Sequence, residues 1–238
     1  MVDEQREEAR IRATYEQRKG LPQSRLYTAL LPSALFAVQT RERTLLHLLR
    51  QHVHKPLSEC RLLDVGCGAG GELSRLLPYG FSPDRLYGID LIEERVERAR
   101  RQNPRFEVVL GGASHLPWDD GFFDVVIQFT VFSSILDREV RRHVASEMVR
   151  VLAPGGIIVS YDMRITRPDN PDVTPIRKAE LRELFSGLPI CFRTTTLAPP
   201  LARRIANWSW ILCELLYLLP PLRTHYLAVV QKPGGATG

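Results

Sequence analysis

At 238 residues and 27.1 kDa, with 44% hydrophobic and 25% charged residues, the chain has the make-up of an ordinary globular protein. Its length is enough to bury the core of one α/β domain and excludes two large ones. The net charge of +5 is set among nearly as many acids as bases and reads as diffuse, which gives no ground for a nucleic-acid-binding surface.

Cys60, Cys67, Cys191 and Cys213 have no CxxC spacing and no paired pattern, and the first residues, Met1 to Glu8, form no apolar signal segment. A reducing cytoplasm is therefore expected, with neither a disulfide framework nor a metal site.

From the N-terminus, a charge-dense helix is predicted over Glu4 to Lys19, with Ile11 and Tyr15 as its apolar stripe. Such a helix needs something to lie on. A Pro- and Leu-rich connector follows from Leu21 to Phe36, then a second helix from Thr40 to His52. Residues 1–56 read as a helical extension placed to act as a lid over a main domain of 57–238.

From Arg61 the pattern alternates: strand 61–65, helix 70–77, strand 86–90, helix 92–102, strands 106–110 and 123–129, helix 137–152, strand 156–161. Runs such as Val125-Val126-Ile127 and Ile157-Ile158-Val159 are nearly continuous apolar strands, as in a parallel sheet covered on both faces. Beyond a polar loop, Arg164 to Pro175, come a short helix from Lys178, a strand near 190–196, a long apolar helix over 201–219 and a last strand, His225 to Gln231. Asn207, Glu214 and Pro220-Pro221 interrupt the apolar stretch, which excludes a membrane-spanning helix there.

The most informative segment is Leu62-Leu63-Asp64-Val65-Gly66-Cys67-Gly68-Ala69-Gly70-Gly71: a strand, an acid near its tip, a glycine turn and the start of a helix. The glycines allow a tight turn and a close approach of backbone to ligand. Asp64 would repel a diphosphate and attract an ammonium or sulfonium, which favours a cationic adenosyl cofactor over a dinucleotide. Asp90 ends the second strand twenty positions after Gly70, the spacing at which a carboxylate meets ribose hydroxyls. The turn Gly111-Gly112-Ala113-Ser114, the pair Gln128-Phe129, and Leu152-Ala153-Pro154-Gly155-Gly156 follow in order.

Over Arg61 to Asp162 these motifs resemble the class I S-adenosylmethionine-dependent methyltransferases, in particular the small-molecule branch of quinone-biosynthesis and sugar or polyketide enzymes. The resemblance implies a Rossmann-like, mostly parallel seven-stranded sheet sandwiched by helices, ending in an antiparallel pair. It implies S-adenosyl-L-methionine as cofactor, with contacts at Asp64, Gly66, Cys67, Gly68, Gly70, Asp90, Leu91, Ala113, Ser114 and Gln128. Two departures stand out. Gly112 replaces the family's usual adenine-side Asp, and Ser134 stands near the place of its frequent His. Tyr161 and Asp162, at the end of the fifth strand, are the candidate catalytic residues.

The expected activity is methyl transfer to a hydroxyl oxygen of a small metabolite such as a sugar, polyketide or lipid-linked intermediate. N-methylation and RNA methylation are the enzymatic alternatives. A non-catalytic cofactor-binding or membrane-associated protein is the alternative of another class. The apolar residues of 201–219 read first as core packing, with a substrate pocket wall, a homodimer contact and a peripheral membrane contact as the alternatives.

Overall fold

The computed structural model describes residues 2–18, 30–166 and 170–234. The end of the first predicted helix at Lys19, most of the Leu21 to Phe36 connector and part of the Arg164 to Pro175 loop lie outside the described residues.

Seven strands, β1 (Leu62–Val65), β2 (Leu86–Asp90), β3 (Glu107–Leu110), β4 (Phe123–Phe129), β5 (Leu152–Met163), β6 (Ile190–Leu197) and β7 (Arg223–Gln231), form one sheet in the order β3-β2-β1-β4-β5-β7-β6. The pairings from β3 through β5 are parallel, and β7 runs antiparallel between β5 and β6. The expected sheet and its antiparallel end are therefore present.

The helices are α1 (Val2–Arg18), α2 (Pro32–His52), α3 (Gly71–Leu76), α4 (Glu93–Gln102), α5 (Val131–Ser134), α6 (Arg138–Val151), α7 (Lys178–Leu184), α8 (Pro199–Ile205) and α9 (Trp210–Tyr217). Side chains alternate across each strand, so the sheet builds two cores. On one face Leu62, Val125, Ile127, Val159 and Val229 pack with Leu45, Leu48 and Leu49 of α2, Leu73 of α3 and Val96 of α4. On the other, Leu63, Val65, Val126, Ile158 and Val230 meet Phe132, Val144, Met148, Leu181 and Phe185 from α5, α6 and α7. Because α2 shares the first core, it belongs to the domain, and only α1 remains as a cover.

Three predicted boundaries move. The second helix begins at Pro32, not Thr40, because proline at a first helical position gives up no hydrogen bond and presets φ. Strand β5 begins at Leu152, through the Ala153-Pro154-Gly155 stretch. The long apolar helix over 201–219 is two helices: α8 ends at Ile205, and Ser209 restarts the chain as N-cap of α9, its hydroxyl accepting from the Leu212 N–H at 3.2 Å.

A third core joins α2, α8 and α9. Phe36 is fully buried there, edge-on to Trp210 and Tyr217 with ring centroids 5.1 and 6.1 Å away. Leu197 and Arg223 are paired at the ends of β6 and β7, on the same side of the sheet as the carboxyl end of β5 at Met163, opposite His225. The α8–α9 pair thus stands at the carboxyl end of the parallel strands. Among the described residues no helix is long and apolar enough to cross a membrane, and no His/Cys/Asp/Glu group could hold a metal.

Replacing Phe36 by Ala removes a ring that three helices share. Chemical denaturation should show a loss of about 3–5 kcal/mol, or a separate early transition of the α2–α8–α9 unit.

Candidate functional site

Strand order reverses between β1 and β4, so the connections leaving these two strands diverge to opposite faces and open a crevice beyond their carboxyl ends. The turn after β1 fills one wall. Gly66, Gly68 and Gly70 have φ of +75°, +55° and +75°, the left-handed region that side chains disfavour. A Cβ on Gly66 would also lie 2.5 Å from Val131 Cγ2. The N–H groups of Gly66 and Cys67 both donate to the Ile89 carbonyl, at 2.8 and 3.0 Å, which ties the turn to β2.

Asp90 closes the same wall. Its Oδ2 accepts from Gly68 N–H at 2.8 Å and its Oδ1 from Ile92 N–H at 2.9 Å, so it holds the glycine turn and shapes the entry to α4. A carboxylate offers about four acceptor positions, which leaves room for ligand hydroxyls on the cleft side. The Cys67 side chain turns away into the core, and a Cβ on Gly88 would lie 2.7 Å from its sulfur. Burial pushes its thiol pKa up, so Cys67 can serve a ligand through its main chain.

Asp64 is 2% exposed on β1 behind the turn, and its Oδ2 has no hydrogen-bond partner among the described residues. Burial pushes its pKa well above the carboxylate range, Glu72 and Asp90 add to this, and Arg41 opposes it. Arg41 itself is held by both oxygens of Glu72, at 2.6 and 2.7 Å. A buried carboxyl with an orphaned oxygen is costly by itself and is the complement of a cation. This orphaned oxygen, beside a turn of glycines with open space at Gly68, fits an adenosyl ligand with a cationic amino-acid end.

The cleft encloses about 750 Å³, part of it open to solvent. Of the residues singled out in the sequence, Gly66, Asp90, Leu91, Ala113 and Ser114 line it, whereas Asp64, Cys67, Gly68, Gly70 and Gln128 are not part of its lining. A lid was expected from residues 1–56, and Glu7, Glu8, Ile11 and Tyr15 of α1 are the residues of that segment that line the cleft. Glu7 accepts from the Leu136 N–H at 2.6 Å and pairs with Arg10, whose guanidinium reaches the Ser134 carbonyl at 2.6 Å. Arg12 donates to the Leu91 carbonyl at 2.6 Å, and the Arg95 guanidinium lies 4.0 Å from the centre of the Tyr15 ring. The signal was the Ile11/Tyr15 stripe, which extends one turn back to Glu8. Glu8 stands where a side chain at position 112 would be, its Oε1 1.8 Å from the site of a Gly112 Cβ.

The two candidate catalytic residues require correction, because neither opens onto the cleft. Asp162 is 1% exposed, with Oδ1 accepting from the Ser133 N–H at 2.9 Å and Oδ2 bonded to Gln128 and Ser160. Gln128 completes the network by accepting from the Val131 N–H at 2.9 Å. The pair ties β4 to β5 and holds the segment after β4, so both are positioning residues. Tyr161 faces the other side, stacked on His225 with centroids 4.7 Å apart, its hydroxyl 2.7 Å from that of Thr196. Burial pushes its pKa up to about 12, which makes it a poor base at neutral pH.

Residues 63–160 match the family described as methyltransferase domain. A 24-methylenesterol C-methyltransferase 2 of Oryza sativa subsp. japonica is 37% identical over 140 residues, 54% of this chain and 37% of that protein. A phthiotriol/phenolphthiotriol dimycocerosates methyltransferase 1 of Mycobacterium ulcerans is 34% identical over 145 residues, 57% of this chain and 51% of that one. The chain thus spans about a third to a half of the length of these curated relatives. Among solved structures, a SAM-dependent methyltransferase of Methanosarcina mazei superposes with a TM-score of 0.58 at 18% identity, covering 79% of this chain and 98% of that one.

Two outcomes follow from the site's supports. Removing the Glu7 carboxylate (Glu7→Ala) takes away the acceptor that latches α1 to Leu136, so hydrogen exchange of residues 3–18 should quicken about tenfold or more, with β4 and β5 unchanged. In Asp162→Asn an amide N–H₂ would face the Gln128 donor, at a cost of about 1–3 kcal/mol by denaturation. Burial raises the Asp162 pKa from 3.8 to about 6, so its protonated form stabilises the fold below the ordinary value and that contribution is lost as pH rises through about 6. The variant should lack this slope.

Proposed function

We propose that this class I S-adenosylmethionine-dependent methyltransferase transfers a methyl group to a hydroxyl oxygen of a small, largely apolar acceptor beneath α1. The observation that carries the reading is the pair of acids around the glycine turn: Asp64 with an orphaned buried oxygen, and Asp90 already turned toward the cleft by Gly68 and Ile92. When bound, the cofactor supplies an electrophilic methyl group on a positively charged sulfur.

The chain's own residues bind, orient and exclude water. Asp90 accepts ribose hydroxyls; Leu91, Ala113 and Ser114 flank the adenine; the glycine turn brings main chain against the amino-acid end, with Asp64 behind it as counter-charge. Helix α1 acts as the lid, and Ile11 and Tyr15 keep water from the cleft. Holding nucleophile and methyl carbon in line at roughly 3–3.5 Å accounts for most of what the protein must do. The remaining lining, Ile11, Phe129, Val131 and Ile135 with the hydroxyls of Thr130 and Ser134, suits an apolar acceptor bearing one or two hydroxyls. The four cysteines are free thiols, which suits the reducing cytoplasm we assign the protein to.

A second reading is methylation at carbon. It is supported by the sterol C-methyltransferase among the relatives and by Phe129, an aromatic residue of the cleft lining. An aromatic face can stabilise a carbocation left on an alkene carbon.

Calorimetric titration should give micromolar binding of S-adenosylmethionine and S-adenosylhomocysteine, weakened about tenfold or more in Asp90→Ala. Because Asp64 sits above the carboxylate range when free and is drawn down by a cation, binding should release a proton and weaken as pH falls; Asp64→Asn should remove that dependence. Methyl-labelled products from a panel of alcohols and alkenes then separate ether from C-methyl by NMR. Cofactor binding with no turnover on any acceptor would favour the non-catalytic alternative.

A further inference from the structure

The outer side of α8–α9 is apolar and uncovered. Trp208, Ile211, Leu215, Leu218 and Leu219 are 73, 75, 56, 66 and 52% exposed; Ile211, Leu215 and Leu218 recur at spacings of four and three along α9 and its C-cap, with Trp208 in the turn before the helix and Leu219 just after it. The inner side of the same helices is already satisfied, since Cys213, Trp210 and Leu212 pack with Phe36. The stripe therefore serves no core of this chain, and single exposed leucines elsewhere do not compare with it.

Charge makes the face specific. Residues 184–238 hold five Lys or Arg and a single acid, Glu214, so +4 of the chain's +5 falls in this last segment; of the five, Arg203 and Arg204 lie on α8, whereas Lys232 lies past the far end of β7. Glu214 is tied to Arg43 at 2.8 Å. Arg203 and Arg204 on α8 are exposed and have no acidic partner among the described residues. The Trp208 indole N–H donates to the Arg204 carbonyl at 2.7 Å, which ties the exposed ring to the end of α8 that carries the two arginines. Apolar side chains, an exposed Trp and a cationic rim with no acid to answer them match the boundary between headgroups and acyl chains of an anionic bilayer. A two-fold contact between copies would instead bring the same arginines toward each other.

Position gives the face a purpose, because α8 and α9 connect β6 to β7 at the carboxyl end of the sheet, the end that bears the cleft. We propose that the outer face of α8–α9 docks on an anionic phospholipid surface and so turns the cleft toward acceptors dissolved in the bilayer. The docking stands on the exposed stripe and the two arginines of α8; its use in supplying an acceptor rests on the methyl-transfer reading.

The test is sedimentation of the full chain with phosphatidylcholine vesicles, with and without phosphatidylglycerol. Binding is expected to the anionic vesicles, about tenfold or more weaker in Arg203→Gln/Arg204→Gln and at high salt, and lost in Ile211→Ser/Leu215→Ser/Leu218→Ser. All three stripe positions are exposed, and an unchanged circular dichroism spectrum and thermal unfolding transition verify that the variant is folded. No binding to either vesicle, or equal binding by the stripe variant, overturns the proposal. So does a dimer, seen by sedimentation equilibrium, that the stripe variant dissolves while vesicles bind nothing. If the vesicles bind and the adenosyl ligands do not, the docking stands and the methyl-transfer reading falls.

Discussion

The rest of the molecule depends on the reversal of strand order between β1 and β4. Parallel strands must be joined by crossovers, and where successive crossovers go to opposite faces their starts separate and leave a crevice that no side chain of the sheet can fill. Everything chemically distinctive in this chain lies along that opening: the glycine turn after β1, Asp90 after β2, the Gly111–Ser114 turn after β3, and the left-handed Thr130 after β4. Both α1 and the α8–α9 pair are placed with respect to it, one over the cleft and the other at the same end of the sheet.

Three aspartates at neighbouring strand ends show how environment separates one residue type into three tasks. Asp162 has its acceptors filled by Ser133, Gln128 and Ser160, so its carboxylate is part of the scaffold. Asp90 spends one lone pair on each of two main-chain amides and still faces the cleft. Asp64 keeps one oxygen unpartnered under burial and beside like charges, the least comfortable of the three positions. A fold tolerates such a group where a ligand completes it, and a pKa perturbed by burial beside a cleft is the physical mark of a binding site. The same reasoning separates Cys67 from its neighbours: its main chain belongs to the turn and its side chain to the core.

How much of this was legible in the sequence follows from how local each feature is. The alternation of apolar runs and helices, the glycine turn and Asp90 are encoded within a few residues, and the sheet came out as expected, with Gly66 and Asp90 at the cleft. Asp162 and Tyr161 did not, because they are adjacent on one strand and the pleat sends them to opposite faces, which only the packing of α5 and α2 decides. The Thr40 start of α2 was late because proline was read as a breaker when here it begins the helix. The single helix over 201–219 was really two, since a hydroxyl at Ser209 caps α9 in the middle of an otherwise unbroken apolar run. Charge was misjudged for a different reason: a whole-chain balance hides a basic last quarter.

The roof deepens the same point about locality. Gly112 leaves a gap in the cleft wall, and the chain answers it with Glu8, more than a hundred residues away in sequence, on a helix whose other polar side chains grip the main-chain carbonyls of Leu91 and Ser134 and the amide of Leu136. These are contacts to backbone, so they hold α1 in place without depending on which side chains line the floor. Burial pushes the Glu8 carboxyl upward, with Arg12 opposing and Glu4 adding to it, so it sits more comfortably with a donor than without one. Because α1 lines the cleft, any effect of a bound ligand on the grip of α1 must be matched by an equal effect of α1 on that ligand's affinity.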